Sequence, residues 1–340
     1  MMNAASTPAG RPGRAAVHVA ALPGGRDLRS GGRWSPSQRA KNDALWAMAA
    51  LAIAATQPLP MGALRRLGRA LGWVAHALAW GPRRIARENV ARALPGLTPP
   101  ERGALVRRCF MTLGQHLGET VALLGARGVP PLPLAAESRA VLDEARREGR
   151  GVVFVSAHLG PWERVAASLV AAGVPLVTIA RESYDPRFTR LYDRLRSSCG
   201  VGVVWRSRPA SALRMVRVLR GGGVLGVPMD LRSRVPSVPV PFLGHPAPTA
   251  LGPARLALRT GAAVLVGTLA PAGVGQHAVT VTRIPTGDLR AAGHDGDHRD
   301  ARTLTARLNE ELSRRILQWP EAWVWMHDRW TERKEPPDGV

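Results

Sequence analysis

A histidine and a glutamate form the pattern H-x-x-x-x-E in SAHLGPWERVAASL, residues 156–169, where a valine-rich run ends and an amphipathic pattern begins. The preceding run GVVFVS is typical of a buried strand, and Gly160-Pro161 is typical of a turn that opens a helix. His158 is therefore predicted in the loop at the carboxyl end of a strand, and Glu163 in the first turn of the next helix. Ligands in open α/β sheets bind at that edge.

A carboxylate beside an imidazole raises the basicity of the ring and fixes its tautomer, which suits a general base that takes a proton from a hydroxyl. The amino end of the helix adds a partial positive charge for a developing oxyanion. The alternative is that Glu163 complements the helix dipole and His158 is an ordinary loop residue. The pair alone favours this alternative. No metal is predicted, because the HExxH spacing is absent and no second His or Cys lies nearby in the sequence.

The elements around this pair alternate between strands and helices. Helical patterns lie near 161–172, 186–199, 208–220, 249–260 and 302–317. The apolar runs between them are GVVFVS, PLVTIA, VGVV, GVLGV, AAVLVGTL and AVTVTRI. Strands buried on both faces and separated by helices predict an α/β fold with a largely parallel sheet. The last two runs are joined by APAGVGQH, which is too short for a helix, so an antiparallel hairpin is the alternative for these two strands.

The amino-terminal part has a different, helical character. Residues 44–55 are apolar without a break, but twelve helical residues cover about 18 Å of a hydrocarbon core about 30 Å thick. Residues 61–81 then combine an apolar stripe with arginines near the start, which is typical of a helix lying on a membrane. The stripe comprises Leu64, Leu67, Leu71, Val74 and Leu78. The alternative is a soluble helical hairpin packed on the core.

Composition limits the class of protein. The 340 residues are 45% apolar, which is enough for a proper core and excludes disorder throughout. The net charge of +22 indicates an anionic partner, either nucleic acid, a membrane surface or an acidic protein. Cys109 and Cys199 show no metal spacing or disulfide framework, which fits a reducing compartment. No secretory signal is visible, and residues 1–40 read as a mobile basic arm.

Five stretches in order carry a family resemblance. They are SAHLGPWE, TIARESYDPRFTRLYDRLR, GGGVLGVPMDLRS, VPVPFLGHPAPTALGPARLALRTGAAV and WPEAWVWMHDRW. The series resembles the late acyltransferases of lipid A biosynthesis, within the lysophospholipid acyltransferase superfamily, over roughly residues 44–331. The resemblance implies a glycerolipid-acyltransferase-like fold and transfer of an acyl chain from a thioester to a hydroxyl of a lipid A precursor. The resemblance favours a catalytic role for the pair over the alternative given above. It implies that His158 is the general base and Glu163 its orienting partner.

The resemblance also implies binding residues. Arg181, after the second strand, would contact phosphate or the reacting carbonyl. Asp230 matches the acidic residue after the GVLGVP strand, although the family commonly has Asp-Gln there and this chain continues to Arg232. Phe242 and Gly244 match the family's Val-Pro-Phe-Phe-Gly, with leucine replacing the second aromatic, and would wall the acyl or acceptor groove. The alternatives without a functional role are that Arg181 is a surface arginine, that Asp230 caps a turn and that Phe242 packs in the core.

Four regions follow from these expectations. They are a disordered arm at 1–40, a membrane-associated helical region at 41–130, a catalytic domain at 131–331 and a tail at 332–340. No cofactor is expected, because a thioester is already activated. The expected partners are acyl carrier protein or acyl-CoA as donor, a glycolipid acceptor, and anionic lipids of the inner membrane at its cytoplasmic face.

Three rival functions remain open at this point. The acceptor could be a lysophospholipid or another glycolipid, for example a mannosylated lipid. The chain could be a catalytically inactive membrane-binding relative, against which the intact histidine and glutamate argue. It could bind nucleic acid, but its basic residues are dispersed and no recognition module is visible, so no nucleic-acid partner is predicted.

Overall fold

The computed structural model describes residues 33–125, 128–206, 208–232, 235–273, 276–289 and 296–330. In these ranges the amino-terminal part is helical: α1 (Pro36–Thr56), α2 (Met61–Leu78), α3 (Trp80–Ala93) and α4 (Pro99–Ala122). Helix α1 begins at Pro36 because Ser35 and Gln38 form a capping box. Residues 36–40 of the predicted basic arm are therefore helical, whereas residues 1–32, like the predicted tail at 332–340, lie outside the described residues.

An α/β region follows. Its elements are α5 (Ala136–Arg147), β1 (Val152–Ser156), α6 (Trp162–Ala171), β2 (Leu176–Ala180), α7 (Pro186–Ser198), β3 (Gly202–Trp205), α8 (Ser211–Arg220), β4 (Val224–Pro228), β5 (Val238–Phe242), β6 (His245–Thr249), α9 (Gly252–Thr260), β7 (Ala263–Pro271), β8 (His277–Arg283) and α10 (Gly296–Gln318). A single 3-10 turn, Pro320–Ala322, comes after α10. All six valine-rich runs that predicted strands form strands.

The main sheet has six strands in the order β3-β2-β4-β1-β7-β8. Its pairings are parallel except that β7 and β8 form an antiparallel hairpin. The prediction of a largely parallel sheet flanked by helices is confirmed. Because β1 to β4 run in the same direction, the loops that follow them meet at one edge of the sheet.

The sheet separates two apolar cores. Along β1, Val153 and Val155 face the core that includes α9 and α10, while Val152 and Phe154 face the core that includes α5 and α6. This alternation follows from the two-residue period of a strand. With both faces covered, the strand is buried from end to end, which explains why it reads as a continuous apolar run.

The hairpin of β5 and β6 was not predicted as strands. Prolines at alternate positions, 239, 241, 246 and 248, obscure the strand pattern, but they are tolerated in this two-stranded sheet. Leu243 and Gly244 both have positive φ, as a tight two-residue hairpin turn requires.

Helices α2 and α4 pack in backbone contact through glycines. A Cβ on Gly68 would lie 2.0 Å from the carbonyl oxygen of Gly114, and a Cβ on Gly114 would lie 2.1 Å from that of Gly68. Gly72 and Gly118 meet the opposite helix just as closely. Each helix thus carries a G-x-x-x-G pair, and small residues at this spacing allow helix axes to approach.

The glycine contact leaves the leucine stripe of α2 outside. Only Leu64 of the predicted stripe is buried, whereas Leu67, Leu71, Val74 and Leu78 are exposed. Apart from Leu64, the predicted stripe is therefore not packed on the core, although α2 itself packs on α4. None of the described helices combines the length and apolar character needed to cross a bilayer.

Replacing Gly114 by alanine is expected to destabilise the fold by about 3 kcal/mol, because the added methyl group forces α2 and α4 apart. Gly103, on the same helix, is the matched control: a Cβ there meets nothing within 4 Å. Gly103→Ala should be neutral or stabilising by about 1 kcal/mol, because alanine is the better helix former. Chemical unfolding of the purified variants measures both effects, and equal stabilities would contradict the glycine contact.

Candidate active site

The loop between β1 and α6 holds His158. The backbone turns sharply at Gly160, whose φ of +70° suits glycine and whose added Cβ would lie 3.0 Å from the Trp319 ring. The Gly160 amide donates to the carbonyl oxygen of Ala322 at 3.1 Å. Helix α6 then begins at Trp162, so the predicted strand, loop and helix are all present.

Asp230 reaches His158 from the neighbouring strand. Ser156 at the end of β1 is the register partner of Pro228 at the end of β4, so the residues two positions further on lie side by side. The Asp230 carboxylate accepts from the imidazole Nδ1 at 2.9 Å and from the His158 amide at 2.8 Å. One carboxylate therefore fixes both the ring and the backbone of the histidine.

This hydrogen bond defines the tautomer of the histidine. An ionised carboxylate only accepts, so Nδ1 carries the proton and Nε2 keeps its lone pair. Asp230 is fully buried, whereas the His158 side chain is 26% exposed. The Trp162 ring meets the imidazole edge-on, with ring centroids 5.0 Å apart. The arrangement is that of an imidazole whose Nδ1 is held by a buried carboxylate.

The electrostatics of the pair favour its charged forms. Burial alone would lower the pKa of His158, but the charge and hydrogen bond of Asp230, with the charge of Glu163, raise that pKa above its usual value. Burial alone would raise the pKa of Asp230, yet His158 and a hydrogen bond from Trp323 lower it. Each member thus stabilises the charge of the other.

Glu163 has a different partner from the one predicted. Its carboxylate accepts from Arg196 on α7, from Nη2 at 2.7 Å and Nε at 3.1 Å, and makes no described hydrogen bond to His158. The residue that orients the imidazole in this structure is Asp230. The physical reason is that β4 lies directly beside β1, while Glu163 points from the first turn of α6 toward the arginine of the neighbouring helix.

A cavity of about 70 Å³ opens beside the histidine. His158, Glu163 and Arg196 contribute its ionisable lining, and the hydroxyl groups of Ser156, Thr178 and Thr268 also line it. The rest is mostly apolar, from α6 and from the sheet beneath it, including Phe154, Val165, Leu169, Leu176 and Gly226. The cavity therefore combines charged and hydroxyl groups with an apolar lining.

Gly226 is one reason why the cavity exists. It lies in the middle of β4 opposite Phe154 of β1, and a Cβ there would lie 3.2 Å from Leu176 and from Thr178. The Phe154 ring instead covers Gly267 of β7, where an added Cβ would lie 2.1 Å from it. Two strand glycines thus direct the aromatic ring to one side and leave room on the other.

Two predicted cationic residues lie on the same sheet edge but make other contacts. Arg181 follows β2 and donates to the Tyr184 hydroxyl at 2.9 Å while its guanidinium lies over the Tyr184 ring. It stands two strands from β1, about 10 Å at the usual strand spacing. Arg232 lies 3.6 Å from the Asp328 carboxylate.

Phe242 and Gly244 do not reach the cavity. Phe242 is buried against the rings of Trp323 and Trp330, with the Arg329 guanidinium 4.8 Å from its ring centre. Gly244 forms the β5–β6 turn. Of the described residues that line the cavity, none comes from this hairpin. The prediction that the hairpin walls the groove is not supported by these contacts.

Three residues of the site escaped the sequence analysis. Arg196 was one arginine among many, and only its contact with Glu163 distinguishes it. Trp323 has only the apolar signature of a core aromatic; it is buried, but its Nε1 also donates to Asp230 at 2.8 Å. His327 belongs to no pattern in the sequence, yet burial lowers its pKa and the charges of Asp230 and His158 influence that pKa. Among the described residues no group of three metal-ligating side chains comes together.

Comparison with known families identifies the class of protein. The model of the bacterial lipid A biosynthesis acyltransferases matches residues 35–332, nearly the whole described chain. The protein is an enzyme that transfers acyl groups. It belongs to the bacterial lipid A biosynthesis acyltransferase family, and the resemblance seen in the sequence is confirmed. No match is found among curated proteins.

Proposed function

We propose that this protein transfers a fatty acyl chain from an acyl thioester, preferably on acyl carrier protein, to a hydroxyl of a lipid A precursor. His158 is the general base and Asp230 orients it. The observation that carries this proposal is the 2.9 Å contact between Nδ1 and Asp230 in a histidine that lines the cavity. Membership of the lipid A family supports the acceptor.

The proposed reaction needs one proton shuttle. Nε2 takes the proton of the acceptor hydroxyl as its oxygen attacks the thioester carbonyl carbon. The imidazolium that forms is stabilised by the adjacent Asp230 carboxylate. When the tetrahedral intermediate collapses, the carbon–sulfur bond breaks and the thiolate takes the proton from Nε2. The products are an ester and a free thiol, and the base is regenerated.

Arg196 supplies a donor for the developing oxyanion in this proposal. Its Nη2 and Nε are held by Glu163, while Nη1 is buried and has no hydrogen-bond partner among the described residues. Burial alone would lower the pKa of Arg196, but the hydrogen bonds and charge of Glu163 outweigh this effect and raise that pKa above its usual value. The guanidinium therefore stays charged. A charged donor in a low-dielectric site stabilises an oxyanion strongly. Glu163 then positions Arg196 rather than His158.

The apolar cavity is proposed to receive part of the acyl chain. Since a cavity of about 150 Å³ admits benzene, 70 Å³ has room for about three carbon atoms. Filling it by Gly226→Val is expected to lower kcat/KM for a dodecanoyl donor by about 10-fold or more, because each displaced carbon costs binding energy.

An acetyl donor is the internal control for that variant. It does not extend into the apolar interior, so its kcat/KM should change less than about threefold. Rates with matched acyl carrier protein donors measure the difference. Equal losses for the two donors would show that the substitution disturbs the site as a whole and not a chain-binding cavity.

The surface of α2 supports the proposed location at the inner membrane. Apolar side chains stand exposed at the end of α2 and the start of α3, with Leu78 at 73% and Trp80 at 75%, and the Arg83 guanidinium lies 5.4 Å from the centre of the Trp80 ring. Exposed aromatic and aliphatic groups beside cations suit the interface of an anionic bilayer. The lipid acceptor lies in that surface, so we propose that α2 rests on the cytoplasmic face and brings the site to its substrate.

An acceptor panel tests the function. Purified protein in vesicles receives dodecanoyl acyl carrier protein and, separately, a labelled lipid A precursor, a lysophospholipid or a mannosylated lipid. Acylation of the lipid A precursor at a rate well above the others is the expected result. Exclusive acylation of another lipid would refute the acceptor, and no acylation of any of them would refute the proposed transfer. Acyl-CoA in a parallel series distinguishes the donor.

A further inference from the structure

The chain after α10 packs deep into the site. Trp323, Trp325 and Arg329 are fully buried. The side-chain amide of Asn89 on α3 donates at 2.8 Å to the carbonyl oxygens of both Trp325 and His327. Residues 319–330, which we name the tryptophan segment, are thus held by the helical region on one side and by the sheet on the other.

This segment contacts both halves of the His158–Asp230 pair. Trp323 forms an antiparallel bridge with Leu159, the residue after His158. The backbone of the preceding residue, Ala322, accepts the Gly160 amide. The Trp323 indole meanwhile donates to Oδ2 of Asp230 at 2.8 Å. The main chain of Ala322 and Trp323 therefore fixes the histidine loop, and the Trp323 side chain fixes the aspartate.

The contact divides the Asp230 carboxylate between two tasks. Oδ2 accepts from the indole and from the His158 amide, while Oδ1 accepts from Nδ1. With Oδ2 held by two donors from different parts of the chain, rotation of the carboxylate away from the imidazole would leave buried donors unpaired. From this geometry we propose that Trp323 is a positioning residue that holds Oδ1 of Asp230 against His158. The inference rests on the proposed function.

Other charged groups face the pair and must stay constant in any test. Glu163 and Arg196 face His158 from α6 and α7. His327 and Arg329 face Asp230 from the tryptophan segment, and Arg232 influences His327 from the loop after β4. A substitution confined to the indole nitrogen leaves all five in place.

The test compares Trp323→Phe with Trp325→Phe. Trp325 lies in the same segment and is equally buried, but its Nε1 donates to the carbonyl oxygen of Pro320. Trp323→Phe should lower kcat about 10-fold or more with little change in KM, because a hydrogen bond to a charged group is lost. Trp325→Phe should lower stability without that change in kcat.

The pH profile separates positioning from packing. Loss of the indole donor frees the Asp230 carboxylate to turn away from Nδ1, so the imidazolium loses part of the stabilisation that raises the pKa of His158. The acid limb of kcat/KM should therefore move to lower pH in Trp323→Phe and stay in place in Trp325→Phe. Identical profiles in wild type and Trp323→Phe would overturn the proposal.

A second variant and a second readout keep the test decisive. Benzothienylalanine at position 323 preserves the bicyclic shape of the side chain and replaces the N–H by sulfur. It should show the pH profile predicted for Trp323→Phe, and it provides the test if Trp323→Phe does not fold. Titration of ¹³C-labelled histidine by NMR reports on His158 without any substrate. If the wild type is inactive but the His158 titration is shifted in both Trp323 variants, the proposed function is refuted and the positioning role stands. An unshifted titration would refute the positioning role.

Discussion

Replacing Asp230 by asparagine should lower kcat by about 10³- to 10⁴-fold, the scale seen when the carboxylate of a His–Asp pair is replaced by an amide. The asparagine side chain keeps the size of Asp230 but removes the charge that stabilises the imidazolium. Its amide group can also donate to Nδ1 and so place the proton on Nε2, where the base is needed. The measurement is single-turnover acyl transfer from acyl carrier protein.

For the same variant we also predict the direction in which the pH dependence of activity shifts. Asp230 and Glu163 together hold the pKa of His158 above its usual value against the effect of burial. In the proposed mechanism activity requires unprotonated His158, so the acid limb of wild-type activity should lie above the usual histidine pKa. In Asp230→Asn the main stabilising charge is absent, and the limb should move to lower pH. Asp143→Asn, on the outer face of α5, is the control. An acid limb that does not move in Asp230→Asn would show that Asp230 does not influence the pKa of the general base.

Replacing His158 by glutamine should lower kcat by about 10²- to 10⁴-fold, the usual contribution of a positioned general base. Glutamine fills a similar space and can still donate to Asp230, but it cannot take the hydroxyl proton. Binding of donor and acceptor should persist, so KM should change little.

A matched histidine tests whether the loss is specific. His298, at the exposed start of α10, contacts Arg255 and lies outside the cavity lining. His298→Gln should retain wild-type rates in the same preparation. Full activity of His158→Gln would contradict the assignment of the base, whatever the acceptor is.

The sequence predicts much of the frame that positions this site. The strands β1, β4 and β7 read as apolar runs because burial on both faces demands apolar side chains at nearly every position. The turn at Gly160 and the start of α6 are also local, because glycine and proline determine backbone conformation over a few residues. His158 therefore appears where its neighbours indicate, at the carboxyl end of β1.

The partner of His158 could not be predicted in the same way. Glu163 is five positions away, whereas Asp230 is 72 positions away in the chain. Asp230 becomes the neighbour only because β4 pairs directly with β1, and strand order is not encoded by any local pattern. Likewise, Trp323 reads as a core aromatic because burial and hydrogen bonding to Asp230 require the same large side chain.

Helix α2 shows how a correct pattern can lead to two structures. Its leucine stripe was visible in the sequence, but either a membrane or a protein core would satisfy it. The glycines at 68 and 72 decide which face of α2 meets α4, since they allow that helix to approach beside the stripe and leave Leu67, Leu71 and Leu78 exposed. The G-x-x-x-G spacing in both helices was the available signal.

A double-mutant cycle on His158 and Asp230 tests the central claim most directly. Single-turnover transfer of a dodecanoyl group to a labelled lipid A precursor is measured for wild type, His158→Gln, Asp230→Asn and the double variant. If the two residues act as one unit, the double variant should be no slower than His158→Gln alone. A double variant whose loss equals the product of the two single losses would show that the residues act independently and would contradict the account.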